Sequence, residues 1–103
     1  MEIKEKSNQR VEVVIDEKID ITNSQDLKQE LLELIDTGCH FITLDFSAVE
    51  SVDSSGLGKL LLIHKRLKEQ GGELKITNVT SDYVREMFTM IHLDKVLQID
   101  NLE

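Results

Sequence analysis

The stretch FITLDFSAVESVDSSGLG, residues 41–58, holds the two adjoining patterns on which the fold prediction rests. FITLDF, residues 41–46, is rich in β-branched and aromatic residues, which favour a buried strand. After the short link SAVES, the residues VDSSGLG lead into an apolar stripe at helical spacing, made of Leu57, Leu60, Leu61 and Leu67. A strand that is followed by a helix is the repeating unit of α/β folds.

Two further elements are predicted before this stretch. The polar residues KSNQR at 6–10 separate a short extended piece from VEVVI at 11–15, which together predict a hairpin with a loose turn. A helix then starts within TNSQ at 22–25, carries apolar residues at helical spacing from Leu27 to Ile35, and ends at Gly38.

The start of this first helix has more than one candidate cap. Thr22 and Gln25 stand at the two positions of a capping box, in which each side chain bonds the backbone of the other residue. Asn23 and Ser24 are the alternative caps, because both side chains accept hydrogen bonds from free helical N–H groups.

The alternation continues after the second helix, which GG at 71–72 ends. ELKITNV at 73–79 predicts a strand, and Ser81 or Asp82 opens a third helix. KVLQI at 95–99 predicts a last strand. The apolar face expected on the third helix consists of Val84, Met87, Phe88 and Ile91.

This order of elements predicts an α/β fold in a single domain covering residues 1–103. We expect a mixed β-sheet that begins with a hairpin and packs against α-helices. Because helical crossovers join parallel strands, much of the sheet is expected to be parallel.

Composition and charge exclude several classes of function. The formal net charge is −8, which argues against nucleic acid and against an anionic membrane surface as partners. The longest apolar run, LLLI at 60–63, is too short to insert into a bilayer, and MEIKEKSNQR at the N-terminus has no signal-peptide character. The single cysteine, Cys39, permits no intrachain disulfide. We therefore expect a cytoplasmic protein, and a monomer for this size and charge.

The segment VDSSGLG combines cap-forming residues with glycines. Asp53, Ser54 and Ser55 are each able to cap the helix that follows, so a helix cap is the simple interpretation of either serine. Gly56 and Gly58 remove side-chain bulk from its first turn. That space admits either close packing of helix on sheet or the approach of a partner.

Known enzyme motifs do not fit this segment. A nucleophile elbow requires G-x-S-x-G, but neither Ser54 nor Ser55 has a glycine two residues before it. The pattern of a phosphate loop is also absent, and no histidine has a setting that marks it as a catalytic base. Cys39 and His40 lack a second metal-binding pair. We expect no enzyme activity, no metal and no cofactor.

Several of the segments described above resemble those of a known family. VDSSGLG, the apolar helix after it, QGGELKITNV at 70–79 and VREMFTMIHLDKVLQI at 84–99 resemble the STAS domains of bacterial anti-sigma-factor antagonists. The resemblance covers nearly the whole chain. It implies a stand-alone STAS domain with a mixed sheet, helices around it and no cofactor.

The resemblance also implies a partner switch. Such antagonists bind an anti-sigma factor that is also a serine kinase of the histidine-kinase-like ATPase fold, and this binding releases the sigma factor. The kinase phosphorylates the serine directly after the aspartate, here Ser54, which breaks the complex, and a PP2C-type phosphatase reverses the modification. Ser55 matches a neighbour that is not usually the acceptor. For Ser55 we expect a cap or a supporting hydrogen bond.

Two aspartates accompany this serine in the family pattern. Asp20, in KID at 18–20, matches an aspartate that lies close to the acceptor in space. Our hypothesis is that Asp20 and Asp53 orient the Ser54 hydroxyl during transfer or lie near the metal of the kinase's ATP. The alternative is that Asp20 is only a turn residue. Asp53 is expected to have a positional role.

Two other functions are weighed against this one. STAS domains also serve without phosphorylation as scaffolds, as subunits of membrane transport assemblies or as regulators of other targets. A small hydrolase that uses Ser54 or Ser55 is disfavoured, because the sequence places neither a base nor an oxyanion motif near them.

Overall fold

The computed structural model of the chain describes residues 1–100 and 102. Within this range the chain forms seven β-strands, three α-helices and one 3-10 turn. In chain order they are β1 (Glu2–Ser7), β2 (Arg10–Val14), β3 (Lys18–Ile19), α1 (Ser24–Asp36), β4 (Phe41–Asp45), β5 (Ser51–Val52), α2 (Ser54–Glu69), β6 (Glu73–Thr77), α3 (Asp82–Met90), the 3-10 turn (Leu93–Lys95) and β7 (Gln98–Ile99).

Five of the strands form one mixed sheet in the order β1-β2-β4-β6-β7. β1 and β2 are antiparallel, and the remaining neighbours are parallel. Parallel neighbours require a crossover, and α1, α2 and α3 each lie in one of these connections. The predicted α/β fold with an opening hairpin is confirmed. The hairpin turn is tighter than expected, because only residues 8–9 separate the two strands.

One face of this sheet carries the hydrophobic core. Val13, Leu44 and Ile76 pair across β2, β4 and β6, and each is fully buried. The apolar sides of α1 and α2 join the same cluster, so these helices cover this face. Successive strand residues point to opposite faces, so Glu12 and Lys75 lie on the polar face. The connection from β4 through β5 places the start of α2 beyond the carboxyl end of a central strand, where α/β folds commonly bind partners.

Two predicted details near the helices and the last strand are wrong. The capping box at 22–25 does not form, because the Thr22 hydroxyl donates to Asp20. Asn23 is the N-cap residue but makes no side-chain cap. The predicted last strand is shortened to β7, because residues 93–95 form a 3-10 turn after His92, which has a left-handed φ of 56°. The Leu93 carbonyl accepts from the following N–H groups and is not free for a sheet.

Candidate functional site

A two-stranded parallel ladder positions the site. Lys18 pairs with Ser51 and Ile19 pairs with Val52, which forms a small sheet of β3 and β5 apart from the main one. The Asp53 N–H extends this pairing by donating to the Ile19 carbonyl at 3.0 Å. The segment that carries Asp20 therefore runs beside the segment that leads into Ser54. This ladder is not predictable from the sequence, because strands of two residues are too short to show an alternation of apolar and polar residues.

Asp53 holds the start of α2 with both carboxylate oxygens. Its Oδ1 accepts the Gly56 N–H at 2.8 Å, which is the side-chain cap of the helix. Its Oδ2 accepts the Ile21 N–H at 3.1 Å. Of the three candidate caps, the structure therefore selects Asp53. The same residue ties the loop after β3 to the helix, in agreement with a positional role.

Because the Asp53 carboxylate caps α2 by accepting the Gly56 N–H, the Ser54 hydroxyl is not needed as a cap. Ser54 is the first residue of α2, and its side chain is exposed. Within residues 1–100 and 102, no group hydrogen-bonds the hydroxyl of Ser54 or that of Ser55. The alternative interpretation of Ser54 as a helix cap is thus wrong, as is the cap or supporting hydrogen bond expected of Ser55, whose side chain is half-buried.

Asp20 lies in a tight turn directly after β3. One carboxylate oxygen accepts the Thr22 N–H at 2.9 Å and also the Thr22 hydroxyl. Lys18 lies 3.6 Å from the other oxygen. These hydrogen bonds, led by the Thr22 hydroxyl, hold the pKa of Asp20 below its usual value, so this carboxylate is ionised at neutral pH. Asp20 is therefore a turn residue that also supplies a negative charge at this end of the sheet.

The two glycines of the segment have different surroundings. A Cβ on Gly56 would lie 2.6 Å from both the carbonyl oxygen and the Cγ2 of Ile19, so this glycine is required for packing of α2 on β3. A Cβ on Gly58 would meet no atom within 4 Å, and Gly58 is exposed. Of the two roles left open by the sequence, close packing applies to Gly56 but not to Gly58.

Ile21 is an exposed apolar residue next to the site that was not predicted from the sequence. Its side chain is 76% exposed, the second-highest exposure among the large apolar residues, and its N–H is bonded to Asp53 beside Ser54. The only sign of it in the sequence is that Ile21 is an isolated apolar residue in the polar run between Asp20 and α1. A single exposed apolar side chain is common on protein surfaces, so Ile21 does not by itself mark an interface.

Other chemistry has little support around this serine. His64, on the same helix, is ten residues from Ser54, which corresponds to about 15 Å along a helix axis. No group of three or more His, Cys, Asp or Glu side chains is arranged to hold a metal ion among the described residues. In the same part of the chain, no helix is both long and apolar enough to cross a membrane.

Comparisons with known proteins identify relatives of the chain by sequence and by fold. The "Anti-sigma-B factor antagonist" of Bacillus subtilis (strain 168) is 28% identical over 99 residues, which cover 96% of this chain and 88% of that protein. The solved structure of the anti-sigma factor antagonist SpoIIAA in its unphosphorylated form has a TM-score of 0.80 at 20% identity, over 97% of this chain and 87% of that one. Bacillus SpoIIAA in its phosphorylated form has a TM-score of 0.73 at 17% identity, over 97% and 90%.

At these identities the two solved structures establish a likeness of fold, which matches the sheet and helices described above. A family model adds the assignment itself. The model for the STAS domain matches residues 1–102, nearly the full length of the chain. The chain therefore belongs to the STAS domain family.

Proposed function

We propose that this chain is an anti-sigma factor antagonist that changes partners through phosphorylation of Ser54. In its unmodified form it binds an anti-sigma factor and thereby frees the sigma factor. The observation that carries the proposal is the exposed Ser54 hydroxyl, which Asp53 leaves without a structural task. The name of the Bacillus subtilis relative supports the same class of partner.

The position of Ser54 suits a reversible charge switch. A phosphate adds nearly two negative charges and three acceptor oxygens at physiological pH. At the first residue of α2 the helix dipole and free N–H groups favour an anion, so the fold is expected to tolerate the modification. A partner surface fitted to a neutral serine is not expected to tolerate it. An unpaired buried charge costs about 2–5 kcal/mol of binding, which is enough to dissociate a complex.

In this proposal the chain is a substrate and not an enzyme. The anti-sigma factor is itself the serine kinase, of the histidine-kinase-like ATPase fold, and a PP2C-type phosphatase removes the phosphate. Asp20 contributes its negative charge near the acceptor, either to orient the Ser54 hydroxyl or to approach the metal of the kinase's ATP. The ladder of β3 and β5, which runs the Asp20 segment beside Asp53, supports such a role.

A reconstitution with purified proteins tests the proposal. The chain is mixed with an anti-sigma factor kinase of the same organism, first without ATP and then with it, and complex and phosphate are measured together. We expect a complex without ATP, and its dissociation as phosphate accumulates on Ser54. Ser54→Ala should remain bound and unmodified, whereas the matched control Ser55→Ala should behave as the wild type.

Two outcomes contradict the proposal. If Ser54→Ala is still phosphorylated to the same extent, another residue is the acceptor. If the wild-type chain binds a partner stably and ATP neither modifies it nor releases it, the unphosphorylated scaffold or transport-subunit function accounts for the chain better.

A further inference from the structure

The apolar side of α3 is wider than its contact with the core. Val84 and Phe88 are buried, and Met87 next to them is half-buried. Tyr83 and Met90 continue the same side around the helix, and they are 62% and 78% exposed. Because a helix turns by about 100° per residue, these five side chains occupy one half of α3. Part of the apolar half therefore faces solvent.

Exposed apolar residues are concentrated in this part of the molecule. Seven large apolar side chains are exposed in the described part of the chain, and four of them belong to α3 or the residues just after it: Tyr83, Met90, Ile91 and Val96. The Ile91 N–H donates to the Met87 carbonyl, so Ile91 continues the helical spacing by one residue. Tyr83, Met87, Met90 and Ile91 thus share one side of α3 and are called the α3 side stripe below. A helix normally buries a stripe with these spacings against another element.

The two ends of the α3 side stripe carry polar groups that complement each other. Asp82 is exposed at the first residue of α3, and His92 is exposed just after its last turn. Among the residues that the structure describes, neither side chain has a hydrogen bond or a salt bridge. An imidazole has an N–H donor whether it is neutral or protonated, and a carboxylate accepts. An antiparallel contact between two copies of α3 brings each His92 to the Asp82 of the other copy.

We propose that the α3 side stripe is the contact surface for a second copy of this chain, in a weak symmetric dimer. The two α3 helices cross antiparallel near Met87. Each Tyr83 then lies beside Met90 and Ile91 of the other copy, because residues equally far from the crossing point meet in a two-fold contact. Contacts between a methionine sulfur and an aromatic ring, such as Met90 with Tyr83, are favourable. The polar pair of Asp82 and His92 closes the contact at both of its ends.

The size of the stripe and the charge of the chain set the strength of this dimer. A contact made by four side chains of each copy belongs to the small end of protein interfaces, and two chains of net charge −8 repel each other. We therefore expect a dissociation constant on the order of 0.1 mM. The chain is then the expected monomer when dilute and a dimer when concentrated. Because the stripe lies on α3 and Ser54 begins α2, the inference does not depend on the proposed function.

Sedimentation equilibrium of the purified chain tests the dimer between about 10 µM and 1 mM, on both sides of the expected dissociation constant. We expect the average mass to rise with concentration from one chain toward two. Met90→Lys should weaken the dimer by roughly tenfold or more, because it places an ammonium group in the apolar contact. Ile21→Lys is the matched control, because it makes the same change in net charge at a similarly exposed apolar residue outside α3. It should dimerise within about twofold of the wild type, and both variants should fold normally because both side chains are exposed.

An exchange of Asp82 and His92 tests the antiparallel arrangement. Asp82→His and His92→Asp each place two like side chains opposite one another, and each should weaken the dimer by roughly three- to tenfold. The double variant restores the pair with the partners reversed, so it should dimerise within about twofold of the wild type. His92 has a left-handed φ of 56°, which aspartate also tolerates, so the exchange retains the backbone there.

The inference is overturned if the wild-type chain is still a monomer at about 1 mM, a result that would leave the α3 side stripe to a different protein. It is also overturned if Met90→Lys and Ile21→Lys weaken the dimer equally, because another surface would then hold the two copies. A double variant of Asp82 and His92 that does not recover the dimer contradicts the antiparallel arrangement. None of these results bears on the phosphorylation of Ser54, which the reconstitution with the kinase measures separately.

Discussion

α2 and α3 both begin beside a serine, but only one of the two hydroxyls holds its helix in place. At α3 the N-cap is Ser81, whose hydroxyl accepts the Val84 N–H at 3.3 Å and lies 3.4 Å from the Glu50 carbonyl. At α2 the N-cap is Asp53, and Ser54 stands one residue inside the helix with an exposed hydroxyl that has no partner among the described residues.

The N-termini of α2 and α3 differ because of the residue that precedes the serine. An aspartate before the serine moves the cap back by one residue, because its carboxylate reaches the N–H three residues ahead. The serine is then released from a structural task and presented at a helix N-terminus. The same residue type is thus part of the scaffold at Ser81 and available for modification at Ser54.

The largest expected contrast comes from replacing each serine by alanine. Ser54→Ala should abolish phosphorylation by the kinase and change the free energy of unfolding by less than about 0.5 kcal/mol, because its hydroxyl holds nothing. Ser81→Ala should leave phosphorylation intact and lower the free energy of unfolding by about 1 kcal/mol, because it removes a cap. Phosphate incorporation and urea unfolding check both. Equal destabilisation by the two variants would show that the hydroxyls have the same task.

The next contrast concerns the packing below Ser54. Gly56→Ala should lower the free energy of unfolding by about 1–3 kcal/mol, because its Cβ would lie 2.6 Å from the Ile19 carbonyl oxygen and the helix must shift. Urea unfolding measures the loss. A variant as stable as the wild type would mean that α2 does not need this glycine to pack on β3.

Substitution of Asp53 tests the two hydrogen bonds that its carboxylate accepts from the Gly56 and Ile21 N–H groups. Asp53→Ala should lower the free energy of unfolding by about 0.5–2 kcal/mol, because the Gly56 N–H loses its cap. Asp53→Asn is the matched control for the cap alone, because its amide oxygen can accept the Gly56 N–H while its NH2 group cannot accept the Ile21 N–H; it should retain most of the stability. Hydrogen exchange at the Gly56 and Ile21 amides should speed up in the alanine variant. Unchanged exchange would contradict the cap.

Asp20 is expected to affect phosphate transfer more than folding. Asp20→Asn keeps the acceptor atom that Thr22 uses but removes the negative charge. Phosphorylation of Ser54 should slow by at least roughly tenfold, since a side chain positioned to take a proton contributes about 10²–10⁴-fold to a rate. The initial rate of phosphate incorporation measures the effect. An unchanged rate would contradict a role of Asp20 in phosphate transfer and leave it only the structural role in the turn.

Much of the fold was predictable because it depends on patterns repeated over many residues. Helical spacing identified α1 and α2, and runs of β-branched residues identified β4 and β6. Ile91 was expected on the apolar face of α3 but is 45% exposed, because the helix ends at Met90 and the chain turns at His92. Boundaries depend on such single backbone angles, which periodicity does not reveal.

The site was predictable in its residues but not in its contacts. Asp53, Ser54 and Ser55 all form good caps, so the sequence alone did not choose between them. The choice follows from the extended backbone at Asp53, with φ −97° and ψ −179°, and from the short ladder that fixes it beside Ile19. The sequence also does not show that a Cβ is excluded at Gly56 but would have space at Gly58, because this depends on which side of α2 faces β3.

The most direct test of the account is peptide mass spectrometry on the chain isolated from its own cells, with phosphate stoichiometry at each serine of the segment VDSSGLG. The account predicts partial phosphorylation of Ser54 that changes with growth condition, and no phosphate on Ser55. Phosphate on Ser55 instead, or none on Ser54 under any condition while a partner remains bound, would contradict it.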